Sequence, residues 1–336
     1  MRVTWKSGAG ISLLLAGAAF GHPALAADCG PLPVLTRLDL NPRAGVPIVP
    51  AMIDDKPVNL LVDTGGAFSV LTKRTIREFG LPTSTSRVEL RNTNGQRENL
   101  AVRLPSITLG LIRQEGVFFM VDPREDDPRE TRPQAFHGTL GPDFLTSIDL
   151  DFDFAANKLN IVSQNHCAGK VVYWHAPTLA VLPMTLDQSG HIIFRMQVDG
   201  RRVNGALDTG MTTTIMNLTT ARQRFDVDVN AADVEKIGEV SGGGYNASAY
   251  RRRFKSIAFE GVTISNPMID LLPDLMSGTS PGAPRTGSLV RPDRALPDVI
   301  LGMSTLSQLH VYIAYNERKV YITPAGSGSA ATPPAQ

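Results

Sequence analysis

Residues 53–65 read Ile53-Asp54-Asp55-Lys56-Pro57-Val58-Asn59-Leu60-Leu61-Val62-Asp63-Thr64-Gly65, and residues 198–210 read Val198-Asp199-Gly200-Arg201-Arg202-Val203-Asn204-Gly205-Ala206-Leu207-Asp208-Thr209-Gly210. The second stretch repeats the first at an offset of 145 residues, and the match continues as Ser69-Val70-Leu71 against Thr214-Ile215-Met216. Further on, Thr139-Leu140-Gly141 returns as Ile300-Leu301-Gly302 at an offset of 161. The same offset aligns Phe152, Phe154, Lys158, Leu159 and Ile161 with Ile313, Tyr315, Lys319, Val320 and Ile322. The chain is therefore a duplicated unit. Its second copy is longer by 16 residues between the two matches (161 against 145), which places an extra surface loop in the Pro/Gly-rich stretch from Leu272 to Pro297.

Each copy has the pattern of a β unit. Apolar residues recur at every second position in Val58-Leu60-Val62, Ile192-Phe194-Met196-Val198 and Val311-Ile313-Tyr315, and Asp54-Asp55 and Asp199-Gly200 fall where hairpin turns belong. Helical signals are short, at Thr72 to Phe79 and Leu218 to Arg224, and Asp122 to Pro133 reads as a solvated loop. With 42% hydrophobic residues the chain can build a core, and 30 Gly with 24 Pro suit a turn-rich β protein. A net charge of +1 supplies no global field toward nucleic acid or an anionic membrane.

The ends carry their own signals. Met1 to Lys6 is basic, Ile11 to Phe20 is apolar, and Ala24-Leu25-Ala26 is a small-residue cleavage pattern, so residues 1–26 read as a signal peptide. A membrane anchor is the rival reading, but the apolar run is about half of the ~20 residues a span needs. Asp28 before Cys29 does not suit a lipid-attachment signal. Export makes a Cys29–Cys167 disulfide the favoured state of the two cysteines, with two free thiols as the alternative. No stable membrane anchor is expected, and the protein is read as periplasmic or secreted. Residues 27–168 form the first lobe, 169–323 the second and 324–336 a disordered tail.

The duplicated Asp-Thr-Gly carries the chemistry. Two carboxyl groups, Asp63 and Asp208, facing each other across a two-fold axis cannot both ionise freely. They share a proton: one activates a water while the other polarises a carbonyl. Thr64 and Thr209 can hydrogen-bond across the junction, and Gly65 and Gly210 let the backbone N–H approach a carboxylate. The competing explanation is a repeated turn in two copies of a structural unit. Other chemistry lacks its residues. The sequence has no Gly-x-x-x-x-Gly-Lys loop, no Gly-x-Ser-x-Gly elbow and no His-x-x-x-His pair for a metal, and Arg251-Arg252-Arg253 is its only basic cluster.

Val62-Asp63-Thr64-Gly65 and Leu207-Asp208-Thr209-Gly210, with the apolar–Gly elements at Leu140-Gly141 and Ile300-Leu301-Gly302, resemble the aspartic proteases of the pepsin/retropepsin group. Within that group they are most similar to bacterial exported proteins with two retropepsin-like halves in one chain. The resemblance covers about residues 45 to 323. It implies an all-β, bilobal pepsin-like or retropepsin-like acid protease fold that hydrolyses a polypeptide substrate by an activated water, without cofactor or metal. A single chain holds both halves of the site, so a monomer suffices. It also implies hairpin flaps, whose tips by position are Asn94-Gly95 and Gly244-Tyr245. Gly66 and Met211 depart from the Ser, Thr or Ala usual after Asp-Thr-Gly. That departure keeps open a second reading, a peptide-binding protein that retains the cleft with little or no hydrolysis.

Overall fold

The computed structural model describes residues 29–41, 45–91, 96–124, 136–242, 245–273 and 297–327. Among them are 24 strands and four short helices, arranged in a nine-stranded and a fifteen-stranded sheet. The expected all-β, bilobal aspartic-protease-like architecture is present.

The duplication is exact in topology. In the first lobe the strand order is Thr83–Arg91, Arg97–Arg103, Phe118–Val121, Val70–Leu71, Gly138–Leu140, Lys56–Val62, Ile48–Ile53, Ser106–Leu109, Ile112–Glu115. The second lobe repeats it from Val234–Gly242 and Tyr245–Arg253 through to Ser256–Phe259 and Val262–Ser265. Each repeat opens on a tight hairpin. Asp54 and Asp55 take φ of 48° and 61°, and Asp199 and Gly200 take 47° and 74°, the left-handed pair that a two-residue turn between twisted strands requires. Alternation then sends Val58, Leu60 and Val62 inward, each at most 3% exposed, and burial of that order contributes about 1.5–3 kcal/mol per side chain.

Both lobes also build one shared sheet. Val34–Asp39, Lys158–Val162 and Asp149–Asp153 come from the first half. Leu309–Ala314, Lys319–Pro324 and Ala180–Leu186 come from the second, and the six lie side by side in that order. Asp149–Asp153 pairs antiparallel with Leu309–Ala314 at the centre. Strand Ala180–Leu186 continues into the second lobe by pairing with Ile192–Val198, whereas its first-lobe equivalent does not pair onward. The shared sheet therefore counts with the second lobe and gives it fifteen strands. One face feeds the main core, while Leu32, Val171, Trp174, Tyr312 and Tyr321 form a small core on the other.

Both expected helices are present, at Lys73–Phe79 and Leu218–Phe225. Two further helical turns, Pro142–Leu145 and Met303–Leu306, follow the repeated glycines. Strand Lys319–Pro324 runs one residue into the segment read as tail, because Leu309 pairs with Pro324, and the Ala325 N–H donates to the Gln308 carbonyl (2.9 Å). Residues 328–336, most of the long loop after Leu272 and the whole of residues 1–28 lie outside the described residues. Among the described residues no helix is long and apolar enough to cross a membrane.

Cys29 and Cys167 form a disulfide. It ties the start of the described chain to the end of the first half across 138 residues. Replacing both cysteines by Ser is expected to lower stability by about 3–5 kcal/mol, read as a lower urea midpoint with an unchanged native spectrum.

Candidate active site

Asp63 and Asp208 follow directly on the buried strands Lys56–Val62 and Arg201–Leu207. Each strand is flanked in parallel by a short one, Gly138–Leu140 or Val299–Leu301. The last residue of the flanking strand takes the aspartate's N–H: Asp63 donates to the Leu140 carbonyl and Asp208 to the Leu301 carbonyl, both at 3.0 Å. The next residue must be glycine. A Cβ on Gly141 would lie 2.5 Å from the Phe68 carbonyl carbon, and one on Gly302 would lie 2.2 Å from the Thr213 carbonyl oxygen. The repeated apolar–Gly element is thus the floor on which each Asp-Thr-Gly turn rests.

A hydroxyl in each half fastens that floor. Ser69 Oγ accepts from the Gly141 N–H (3.0 Å) and donates to Asp143 (2.8 Å). Its repeat equivalent Thr214 accepts from the Gly302 N–H (3.1 Å) and shares a hydrogen bond with Thr305 (2.6 Å). Sequence reasoning paired Ser69 with Thr214 but assigned them no task. The persistence of a hydroxyl at a buried position was the available signal.

The two turns interlock through their threonines. The Thr64 N–H donates to Thr209 Oγ1 and the Thr209 N–H to Thr64 Oγ1, each at 3.1 Å. The hydroxyls donate onward into the opposite half, Thr64 to the Leu207 carbonyl (3.0 Å) and Thr209 to the Val62 carbonyl (2.6 Å). Both threonines are at most 1% exposed, so these bonds form away from competing water.

The carboxyl groups are held just as symmetrically. Asp63 Oδ1 accepts from the N–H groups of Gly65 and Gly66 (both 2.9 Å), and Asp208 Oδ1 from those of Gly210 (2.8 Å) and Met211 (3.1 Å). The glycines also make room for the opposite half. A Cβ on Gly65 would stand 2.1 Å from Asp208 Cγ, and one on Gly210 would stand 2.6 Å from Asp63 Cγ.

Burial pushes Asp208 up to about 7, and the facing Asp63 charge acts in the same direction. Asp63 is also raised, by burial above all, while the Gly65 and Gly66 N–H donors and the Asp208 carboxyl hold it lower than its partner. The pair therefore passes through a state with one proton for two carboxyls. A raised carboxyl favours the fold when neutral. Its contribution is complete below the ordinary value of 3.8 and is lost as pH rises through about 7. Asp208→Asn is accordingly expected to be more stable than the parent chain at pH 8 by a few kcal/mol. The gain should vanish toward pH 3, as thermal unfolding at the two pH values would show.

Two basic side chains not foreseen from the sequence interact electrostatically with Asp63. His191 stands 2.8 Å from Asp187. Arg124 is bound by the nearly buried Asp122 at 2.5–3.0 Å. The start of the segment read as a solvated loop is thus an ordered ion pair, with Asp122 only 4% exposed, and residues 125–135 lie outside the described residues. The hairpins expected as flaps are present as Thr83–Arg91 with Arg97–Arg103 and Val234–Gly242 with Tyr245–Arg253. Asn94, Gly95, Gly244 and the Tyr245 side chain lie outside the described residues. Cavities of about 620 Å³ beside Ala67, Pro142 and Thr146 and about 310 Å³ beside Thr212, Met303 and Ser307 lie at equivalent places in the two halves, and neither is lined by Asp63 or Asp208. Among the described residues no cluster of His, Cys, Asp and Glu is arranged to hold a metal.

The family model described as aspartyl protease matches residues 49–144 and 194–305. No curated protein matches the chain. Among solved structures, the crystal structure of basic 7S globulin from soybean is similar at 12% identity and a TM-score of 0.47, over 87% of this chain and 95% of that one. The two family segments cover more than half of the sequence, one around each Asp-Thr-Gly turn, and on that ground the chain belongs to the aspartyl protease family.

Proposed function

We propose that the chain is an aspartic endopeptidase in which Asp63 and Asp208 together activate one water against a peptide carbonyl. The observation that carries this reading is the pair of equivalent, interlocked turns presenting two interacting carboxyls of unequal proton affinity. Ionised Asp63 accepts a proton as the water oxygen attacks the carbonyl carbon, and protonated Asp208 hydrogen-bonds the carbonyl oxygen as charge develops there. The C–N bond then breaks as Asp63 passes its proton to the amine, which releases a carboxylic acid and an amine and leaves Asp63 ionised and Asp208 protonated as at the start. Thr64 and Thr209 keep the two turns in one geometry, and Gly65 and Gly210 leave space for the facing carboxyls. Asn94-Gly95 and Gly244-Tyr245 are assigned to flaps over an extended chain. The disulfide supports an exported, oxidising setting, in which residues 1–26 act as the signal.

One observation favours a weaker catalyst that chiefly binds peptides. Every N–H from the residues after each Asp-Thr turn goes to Oδ1, and Gly66 and Met211 bring no hydroxyl to the outer oxygens. Incubation with an unfolded protein from about pH 3 to about pH 8, with new termini mapped by mass spectrometry, separates the readings. Cleavage is the expected outcome. Peptide binding without turnover would replace endopeptidase by binding protein.

A further inference from the structure

The underside of the shared sheet carries buried ionisable groups that the proposed hydrolysis does not use. At its centre Asp151 stands opposite Tyr312, and this face presents Asp149, Asp151, His310 and Tyr312, none more than 4% exposed. His310 Nε2 lies 2.6 Å from Asp151 Oδ1. Asp151 Oδ2 accepts from Asn160 (2.8 Å) and from the Tyr173 hydroxyl, on which the charges of Asp153 and Arg37 also act. His166 Nε2 lies 2.7 Å from Asp149 Oδ2, with its Nδ1 3.8 Å from Glu317. Asp149 further accepts from the Tyr315 N–H (3.0 Å) and faces the Tyr312 hydroxyl at 3.4 Å. Glu317 is satisfied by Tyr321 (2.6 Å), the Gly169 N–H (2.9 Å) and Lys319 (3.3 Å).

Residues 169–179, the connection between the halves, run beneath this face. Val171 and Trp174 are buried in the small core, while His175 of the same segment is exposed. The Trp174 ring lies parallel to the His310 ring at 3.8 Å and 4°, and its Nε1–H donates to Thr323 (3.0 Å). The Cys29–Cys167 disulfide closes the segment's upstream end, one residue after His166.

The two copies have diverged here into complements. At the offset of 161, Asp149 corresponds to His310 and Asp151 to Tyr312. Asp151 meets its imidazole only because unlike halves face each other, and two first copies would bring four carboxyls together. Buried polar groups arranged this way specify one pairing and one register.

We propose that this face is a proton-operated latch: with a proton shared in each Asp–His pair, the connecting segment stays sealed and the lobes stay in register. Losing those protons leaves net negative charge out of water and loosens the segment. Asp149, whose affinity for a proton is raised by burial, acts in the same sense.

Trp174 reports directly on the latch, because an imidazolium stacked on an indole quenches its emission. A chain carrying Trp5→Phe, Asp63→Asn and Asp208→Asn keeps Trp174 as its one tryptophan and removes the titration of the pair at the candidate site. Its emission is expected to fall along a sigmoid on acidification from about pH 9 to about pH 4. Hydrogen-exchange protection of the 169–179 amides, corrected for intrinsic rates, is expected to drop about tenfold per pH unit for each proton lost above that midpoint. His310→Gln keeps a donor for Asp151 and should abolish the sigmoid. Asp151→Asn, a second variant should the first not fold, should move it to lower pH. Emission or protection independent of pH, a sigmoid unchanged in His310→Gln, or a midpoint unmoved in Asp151→Asn would each overturn the latch.

Discussion

Asp63→Asn and Asp208→Asn are each expected to lower kcat for peptide hydrolysis by about 10³-fold or more, with the fold intact and peptide affinity retained. Asparagine has the shape of aspartate, and its carbonyl oxygen can still accept the two backbone N–H groups that hold Oδ1 in each half. It cannot take up or release a proton. A single substitution therefore removes the one-proton state while leaving the threonine bonds across the junction untouched. The parent profile should be bell-shaped. Activity rises with pH as Asp63 ionises and declines through about pH 7, where Asp208 loses its proton. Side-by-side pH–rate profiles on one peptide would check both statements. Activity within tenfold of the parent in either variant would remove Asp63 and Asp208 from the chemistry.

The constant offset of the repeat made much of this arrangement legible, because it put an Asp-Thr-Gly turn at the end of each of two apolar strands. Chemistry then assigned Thr64 and Thr209 to bonds across the junction, and they make four of them. The reading of Gly65 was incomplete. Its N–H does reach a carboxylate, that of its own half, while its missing Cβ makes room for the carboxylate of the other half. That second demand is invisible in one strand's sequence, since it arises only when two halves meet. The shared sheet was hidden for the same reason. In Asp149-Leu150-Asp151-Phe152-Asp153 the alternation reads as one wet face, yet Asp149 and Asp151 are fully buried because partners about 160 positions later satisfy them. The helical turns Pro142–Leu145 and Met303–Leu306 are too short to show a period of 3.6. Asp122 and Arg124 were masked by the charged segment they begin.

Neighbouring glycines separate a requirement of the junction from a mere preference. Gly65→Ala is expected to abolish measurable hydrolysis, whereas Gly66→Ala should retain activity within about tenfold of the parent. The new Cβ at 65 would stand 2.1–2.5 Å from three atoms of the Asp208 carboxyl, and relief by movement is blocked on both sides. Asp208 is pinned by the Gly210 and Met211 N–H groups, and the turn around residue 65 is pinned by its own bond to Asp63 and by Thr64. Either the carboxyls part or the threonine bonds break. Parted carboxyls cannot share a proton, and broken bonds leave buried N–H and C=O groups unsatisfied at about 1–3 kcal/mol each. At residue 66 the nearest atom is Asp63 Oδ2 of the same half at 3.1 Å, which a shift of a few tenths of an ångström relieves without disturbing the opposite lobe. Gly210→Ala should follow Gly65→Ala, since its Cβ meets Asp63 at 2.6 Å. Rates and urea midpoints for the three variants would decide the matter. Equal behaviour of Gly65→Ala and Gly66→Ala would mean that the two halves tolerate a wider separation than the interlocked turns imply.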